Sequence, residues 1–332
     1  MDSPSFRVEE HMDGGGHQGS SYLTARREFP DIARGALVLL VVWGHLLESK
    51  GYNGRLYFAI YAFHMPAFAM ISGAYSKPAL NRNHVLEIFK RLLIPLLCFQ
   101  FAYYVSLGYF APERVSNLHT PVWIMWFLFS ILTWKLALPL AIRLPYPFLL
   151  SILVALAAGF SDRIGAGLSF SRTLVFFPAF LFGHLYAKRI FEAPTRYRTP
   201  LIIVFITIFI VALLISDYVS IRWLWGSHPY TKMLYNTPGA AFRVAAMFTG
   251  IIMSVAFLAI LPTHSKMLAC LGRRTMTIYL LHGFPVIIFW TSGALFGNGL
   301  LFLATTALLS LGISLLISLC INRLLARSWG RP

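Results

Sequence analysis

LIIVFITIFIVALLIS, residues 201–216, contains no charged residue. A second stretch, VAAMFTGIIMSVAFLAILP at 244–262, repeats the pattern. Runs of about 17–25 apolar residues match the hydrocarbon thickness of a bilayer. The whole 332-residue chain agrees: it is 58% hydrophobic and 12% charged, with a mean hydropathy of +0.68. A water-soluble domain carries about a quarter charged residues. The expected fold class is therefore all-α, a polytopic integral membrane helical bundle.

Outward from these two runs, hydropathy marks about ten transmembrane helices, near 33–49, 56–75, 92–110, 121–142, 147–161, 173–188, 200–217, 239–261, 275–292 and 297–322. Pro78, Pro112, Pro121, Pro145, Pro147, Pro200 and Pro262 fall at or near their ends, where breakers belong. With the N-terminus inside, one alternating set of segments holds nineteen Lys and Arg and the opposite set eight. That bias places both termini in the cytoplasm, as an even number of spans requires. The net charge of +16 is then a signature of topology, and no nucleic-acid partner is expected. Residues 1–28 are expected to be a disordered polar cytoplasmic tail with no cleavable signal peptide, 29–325 the transmembrane domain, and 326–332 a short basic cytoplasmic tail. Cys98, Cys270 and Cys320 sit singly among apolar neighbours, so neither a disulfide frame nor a metal site is expected. The two halves of the chain display no inverted repeat of the kind many transporters carry.

The first span, GALVLLVVWGHLLES at 35–49, carries the chemistry. From Arg34 to His45 is eleven residues, within about 20° of three whole helical turns, so both lie on one face about 16 Å apart along the axis. Asp31 and Glu48 fall close to the same stripe. One helix thus pairs a carboxylate and a guanidinium at one end with an imidazole and a carboxylate toward the other. Ionisable groups inside a membrane that face inward mark a site. His45 with Glu48 suits a base and its orienting carboxylate, able to take a proton from an alcohol. The second span adds His64 near its outer end, and the third opens with adjacent cations, Lys90 and Arg91, suited to phosphates.

At these residues the chain resembles a known family. RREFPDIARGALVLLVVWGH, FHMPAFAMISG, FKRLLIP, WFLFSIL and RRTMTIYLLHGFP occur in the order and spacing of the acyltransferase-3 family, over roughly residues 27–325. The closest branch resembles the fucose 4-O-acetylase-like enzymes, which acetylate bacterial surface glycans and nodulation factors. The resemblance implies an inner-membrane, multi-pass enzyme of about ten helices that takes acetyl-CoA as donor and O-acylates a carbohydrate hydroxyl. It matches the family's Arg-x10-His pair to Arg34 and His45, its preceding acidic residue to Asp31, its second-helix histidine to His64, and its basic pair to Lys90 and Arg91. Many relatives have Arg-x-x-Arg in that loop, whereas here Glu87 and Ile88 precede Phe89-Lys90-Arg91.

The phosphates of CoA are then expected at Arg34, Lys90, Arg91 and Arg273, and the thin pantetheine arm is expected to reach up toward His45. His45 acts either as general base on a sugar hydroxyl or as an acetyl carrier. Trp123 and Trp126 are candidate sugar-stacking residues, although their position favours an interfacial aromatic belt. Tyr279 and His282 match the late family motif and join the candidate substrate-binding set. A transporter or flippase for a glycolipid or small anion is the alternative from another class, since it also needs buried Arg and His.

Overall fold

In a computed structural model the described residues are 16–48, 54–79, 81–115, 120–164, 169–233, 239–292 and 299–329, all in helices and the turns between them. The chain runs through α1 (Gly16–Leu47), α2 (Arg55–Tyr61), α3 (His64–Ala74), α4 (Arg82–Ile88), a π-helical turn at Phe89–Leu93, α5 (Ile94–Phe110), α6 (Met125–Ala141) and α7 (Pro147–Ala157). It continues with α8 (Phe170–Arg196), α9 (Arg198–Ile215), α10 (Arg222–Trp225), α11 (Gly239–Ile260), α12 (Lys266–Arg273), α13 (Thr275–Leu281), α14 (Gly283–Thr291) and α15 (Leu300–Trp329). Most of the expected N-terminal tail, residues 1–15, lies outside the described residues, as do 330–332. From Gly16 onward the backbone is already helical.

Among the described residues six helical segments are long and apolar enough to cross a membrane: Glu28–Leu47, Arg55–Ala74, Phe170–Arg196, Arg198–Ile215, Gly239–Ile260 and Leu300–Cys320. The other four expected spans are helical too, but shorter or broken. α5 and α6 have 17 residues each and α7 has 11. The segment expected at 275–292 breaks into α13 and α14 at His282. Large side chains left bare on outer helices, such as Phe101, Ile203, Leu214 and Leu316, give the bundle an apolar exterior that suits lipid and not water.

Two close helix crossings hold the inner bundle. α1 lies against α12 where Gly35 faces the Leu268 carbonyl and Gly272 faces the Asp31 backbone; a Cβ at either glycine would occupy the neighbour's carbonyl. α3 meets α8 the same way through Gly73 and Gly183. In a bilayer, where lipid is as apolar as leucine, such small-residue contact lets backbones gain dispersion energy and positions helices tightly. α15 adds polar ties to α1: Thr306 Oγ1 accepts from Trp43 Nε1 at 3.1 Å, and Ser310 Oγ donates to the Leu39 carbonyl at 2.8 Å.

The second span is one helix interrupted at Ala62–Phe63. Pro66 falls in the first turn of α3, where its missing N–H costs nothing. The break turns His64 inward, and its Nδ1 bridges the gap to the Ile60 carbonyl at 2.8 Å.

Candidate active site

α1 delivers Arg34 and His45 to one cavity of about 400 Å³, as their helical phase requires. Arg34, Ser72, Gly272 and Arg273 border it at one end, and His45, Glu48, Tyr57, Tyr61, Arg172 and Trp225 at the other. Between them its walls are apolar, formed by Val38, Val41, Phe68, Ile71, Ile131 and Met276. Charge is confined to the two ends of an apolar shaft.

At the Arg34 end, Arg34 Nη1 donates to Asp31 Oδ1 at 2.8 Å, and the guanidinium lies over the Tyr75 ring at 4.8 Å. Across that Arg34–Tyr75 pair lies a second cavity of about 860 Å³, whose rim includes Lys188, Arg198 and His264.

At the other end, His45 Nδ1 and Glu48 Oε2 are 3.1 Å apart, one helical turn from each other. Glu48 accepts from Nδ1–H in this arrangement, which leaves the Nε2 lone pair for chemistry. The ring is fixed on several sides. Trp123 meets it edge-on with centroids 4.9 Å apart, and His282 stacks on it at 5.5 Å. Trp290 Nε1 donates to the His45 carbonyl at 3.0 Å, while Arg114 covers the Trp290 ring at 4.0 Å. His282 is fully buried, with Nδ1 on the Ile278 carbonyl at 3.0 Å and Nε2 unpartnered among the described residues.

Trp123 holds its place in a left-handed backbone conformation, φ 43°. For a bulky residue this costs about 1–3 kcal/mol and is found where surrounding structure over-determines the position. Its Nε1 is buried without a hydrogen-bond partner among the described residues. Both costs fall on the residue whose ring edge orients His45.

Of the residues singled out from sequence, Arg34, His45, Glu48, His64, Trp123, Trp126, Arg273 and Tyr279 line this cavity. Asp31 and His282 support it from behind through Arg34 and His45. Tyr279 is anchored through its hydroxyl on the Ile124 carbonyl. Lys90 and Arg91 are not brought to it. They lie in the π-helical turn, exposed, with Arg91 paired to Glu87 at 2.9 Å. Arg172, Tyr57, Tyr61 and Trp225 were not among the candidates from sequence. No spacing in the sequence connects these residues to His45, because α2, α8 and α10 bring them in from separate parts of the chain. Among the described residues, no three His, Cys, Asp or Glu side chains gather into a metal-binding group.

A membrane-embedded helical bundle with a histidine–carboxylate pair facing a shaft that ends in arginines has the makings of an acyl-transfer enzyme. Sequence comparison carries this further: the profile of an acyltransferase domain matches residues 27–322, and the chain belongs to the acyltransferase-3 family. The protein is thus a membrane-integral O-acyltransferase. It is similar to the nodulation protein NolL of Sinorhizobium fredii (strain NBRC 101917 / NGR234), 28% identical over 292 residues with 76% of each chain covered. It is also similar to NolL of Mesorhizobium japonicum (strain LMG 29417 / CECT 9101 / MAFF 303099), 27% identical over 289 residues, covering 76% of this chain and 74% of the relative. No solved structure matches the chain.

Proposed function

We propose that the protein transfers an acetyl group from acetyl-CoA to a sugar hydroxyl of a bacterial surface glycan or its lipid-linked precursor. In this reading the chain spans the inner membrane ten times with both termini in the cytoplasm. The observation that carries it is the single cavity joining Arg34 and Arg273 to His45 and Glu48. Acetyl-CoA is made in the cytoplasm and its phosphates cannot enter hydrocarbon, so its head stays at the Arg34 end. The neighbouring 860 Å³ cavity, with Lys188, Arg198 and His264 on its rim, has room and charge for the nucleotide. The apolar shaft suits the narrow pantetheine arm, and the helical rise of about 16 Å from Arg34 to His45 sets the reach required of it.

His45 Nε2 takes the proton of the acceptor hydroxyl as that oxygen attacks the thioester carbonyl carbon. Glu48 holds the ring and offsets the imidazolium charge. The C–S bond breaks, the CoA sulfur leaves with the proton returned by His45, and an O-acetyl sugar and free CoA remain. Glu48 occupies Nδ1, so Nε2 is the ring atom available either to take that proton or to carry the acetyl group.

The test is release of CoA thiol by the purified full chain when a glycan extract of the host cell is added. Thiol release that depends on glycan and disappears in His45→Ala is the expected result. No release by a folded wild type would refute the transfer chemistry and turn attention to glycolipid movement.

A further inference from the structure

The Glu48 end of the cavity holds a cation that the acetyl transfer described above does not use. Arg172 projects from the first turn of α8, its guanidinium 5.1 Å from the centroid of the Trp126 ring. Its Nε is shut off from solvent and has no hydrogen-bond partner among the described residues. Glu48 is the one acidic residue among the described walls, and it is already engaged by His45. A guanidinium presents five N–H donors in a rigid fork. Here the fork borders an open cavity with no carboxylate in ion-pair reach among the described residues.

Just outside lies a groove of about 410 Å³, bordered by Tyr57, Asp217, Arg222, Trp223 and Lys232. Tyr57 is a wall of both spaces. The short helix α10 divides them, with Arg222 and Trp223 on the groove and Leu224 and Trp225 on the cavity. Asp217 is paired with Arg55 at 2.7 Å. Arg222 and Lys232 are exposed and have no carboxylate in ion-pair reach among the described residues. His228, in the loop between α10 and α11, senses all three cations together. Burial first, then Arg222, Arg172 and Lys232, holds its pKa below the ordinary histidine value. Arg172 thus acts on the same loop as the two groove cations, although it opens into the cavity.

We propose that the groove and the Glu48 end of the cavity form an acceptor subsite for an acidic saccharide, with Arg172 gripping its anionic group and Arg222 and Lys232 drawing it in. The inference rests on the acyl-transfer reading and names its acceptor class. A carboxylate or a sugar phosphate accepts two parallel bonds from a guanidinium. Tyr57, Trp126 and Trp225 line the same end, and Trp225 supplies aromatic surface beside a sugar ring. Cations at the mouth raise the encounter rate of an anionic acceptor in a salt-dependent way. A neutral sugar needs none of the three charges.

Binding isotherms of the purified full chain test this, with tetragalacturonate, its carboxyl-reduced neutral counterpart and galactose 1-phosphate as probes. Wild type is expected to hold an anionic probe at least about tenfold more tightly than the neutral one, a difference of about 1.4 kcal/mol. Arg172→Gln should abolish that preference, Arg172→Lys should keep part of it, and Arg222→Gln with Lys232→Gln should weaken anionic binding most at low salt. Tetragalacturonate ahead of galactose 1-phosphate assigns a uronate-like carboxylate, and the reverse order a phosphorylated, lipid-linked sugar; either supports the subsite. Equal affinity for the anionic and neutral probes in wild type overturns it, as does a preference that survives in a folded Arg172→Gln. Thiol release measured on the same probes separates the two readings. Arg172-dependent binding without turnover of acetyl-CoA on any glycan leaves the subsite standing and removes the transferase reading. Equal turnover on acidic and neutral acceptors does the opposite.

Discussion

His45 is held by contacts that a catalytic ring needs and a packing histidine does not. Glu48 fixes Nδ1, Trp123 and His282 fix the plane, and Trp290 ties down the backbone. Glu48→Gln keeps the size of the side chain but removes the charge that stabilises an imidazolium. It should lower kcat about 10²- to 10⁴-fold with little change in KM for acetyl-CoA, read by initial-rate kinetics; a KM effect alone would move Glu48 into donor binding. The cations give a sharper contrast. Arg34→Ala and Arg273→Ala should each raise the KM for acetyl-CoA about tenfold or more, since a charge-assisted contact to a phosphate contributes about 1.5–3 kcal/mol. Arg91→Ala should leave it within about twofold, because Arg91 is 77% exposed and its carboxylate partner is on its own helix. A large effect from Arg91 would return that loop to the donor site.

At the scale of the helix, legibility follows from whether one element carries the signal. The Arg34–His45 alignment was readable because both residues ride on a single helix whose period is known, and the cavity takes them up together. Gly73 meets the Phe180 backbone with no room for a Cβ, a contact that only the packing of two helices reveals. Lys90 and Arg91 sit on an exposed π-helical turn that composition does not reveal. Arg172, Tyr57 and Tyr61 could not be read at all, since only the packing of α2 and α8 around α1 gives them a common address. The spans divide along the same line: long uniform runs such as 201–216 became long helices, whereas the segment at 275–292 breaks at His282 to turn an imidazole inward. The α1–α12 crossing holds the arginine end of the shaft in place, so Gly272→Leu should destabilise the fold by about 3 kcal/mol or more. Detergent-challenge melting of the purified protein checks it; an unchanged melting temperature would mean that the helices do not rely on that contact.

Across the whole molecule, the cavity in the proposed function separates two chemistries that belong in different compartments: a phosphate-bearing donor and a glycan acceptor. If the Arg34 end faces the cytoplasm, a cysteine placed at Ser265 beside α12 should react with an impermeant maleimide only in inside-out vesicles. One placed at Ser220 should react only in right-side-out vesicles, with Cys98, Cys270 and Cys320 first replaced by serine. Reaction of both cysteines from the same side would refute the proposed topology. The most direct measurement supplies radiolabelled acetyl-CoA to the outside of sealed inside-out vesicles bearing wild type or His45→Ala, followed by recovery of label on glycan. Label on glycan with wild type, and none with a folded His45→Ala at equal expression, is the expected result. Equal labelling of glycan by both proteins would contradict the central role of His45 and, with it, the shaft from Arg34 to His45 as the path of the acetyl group.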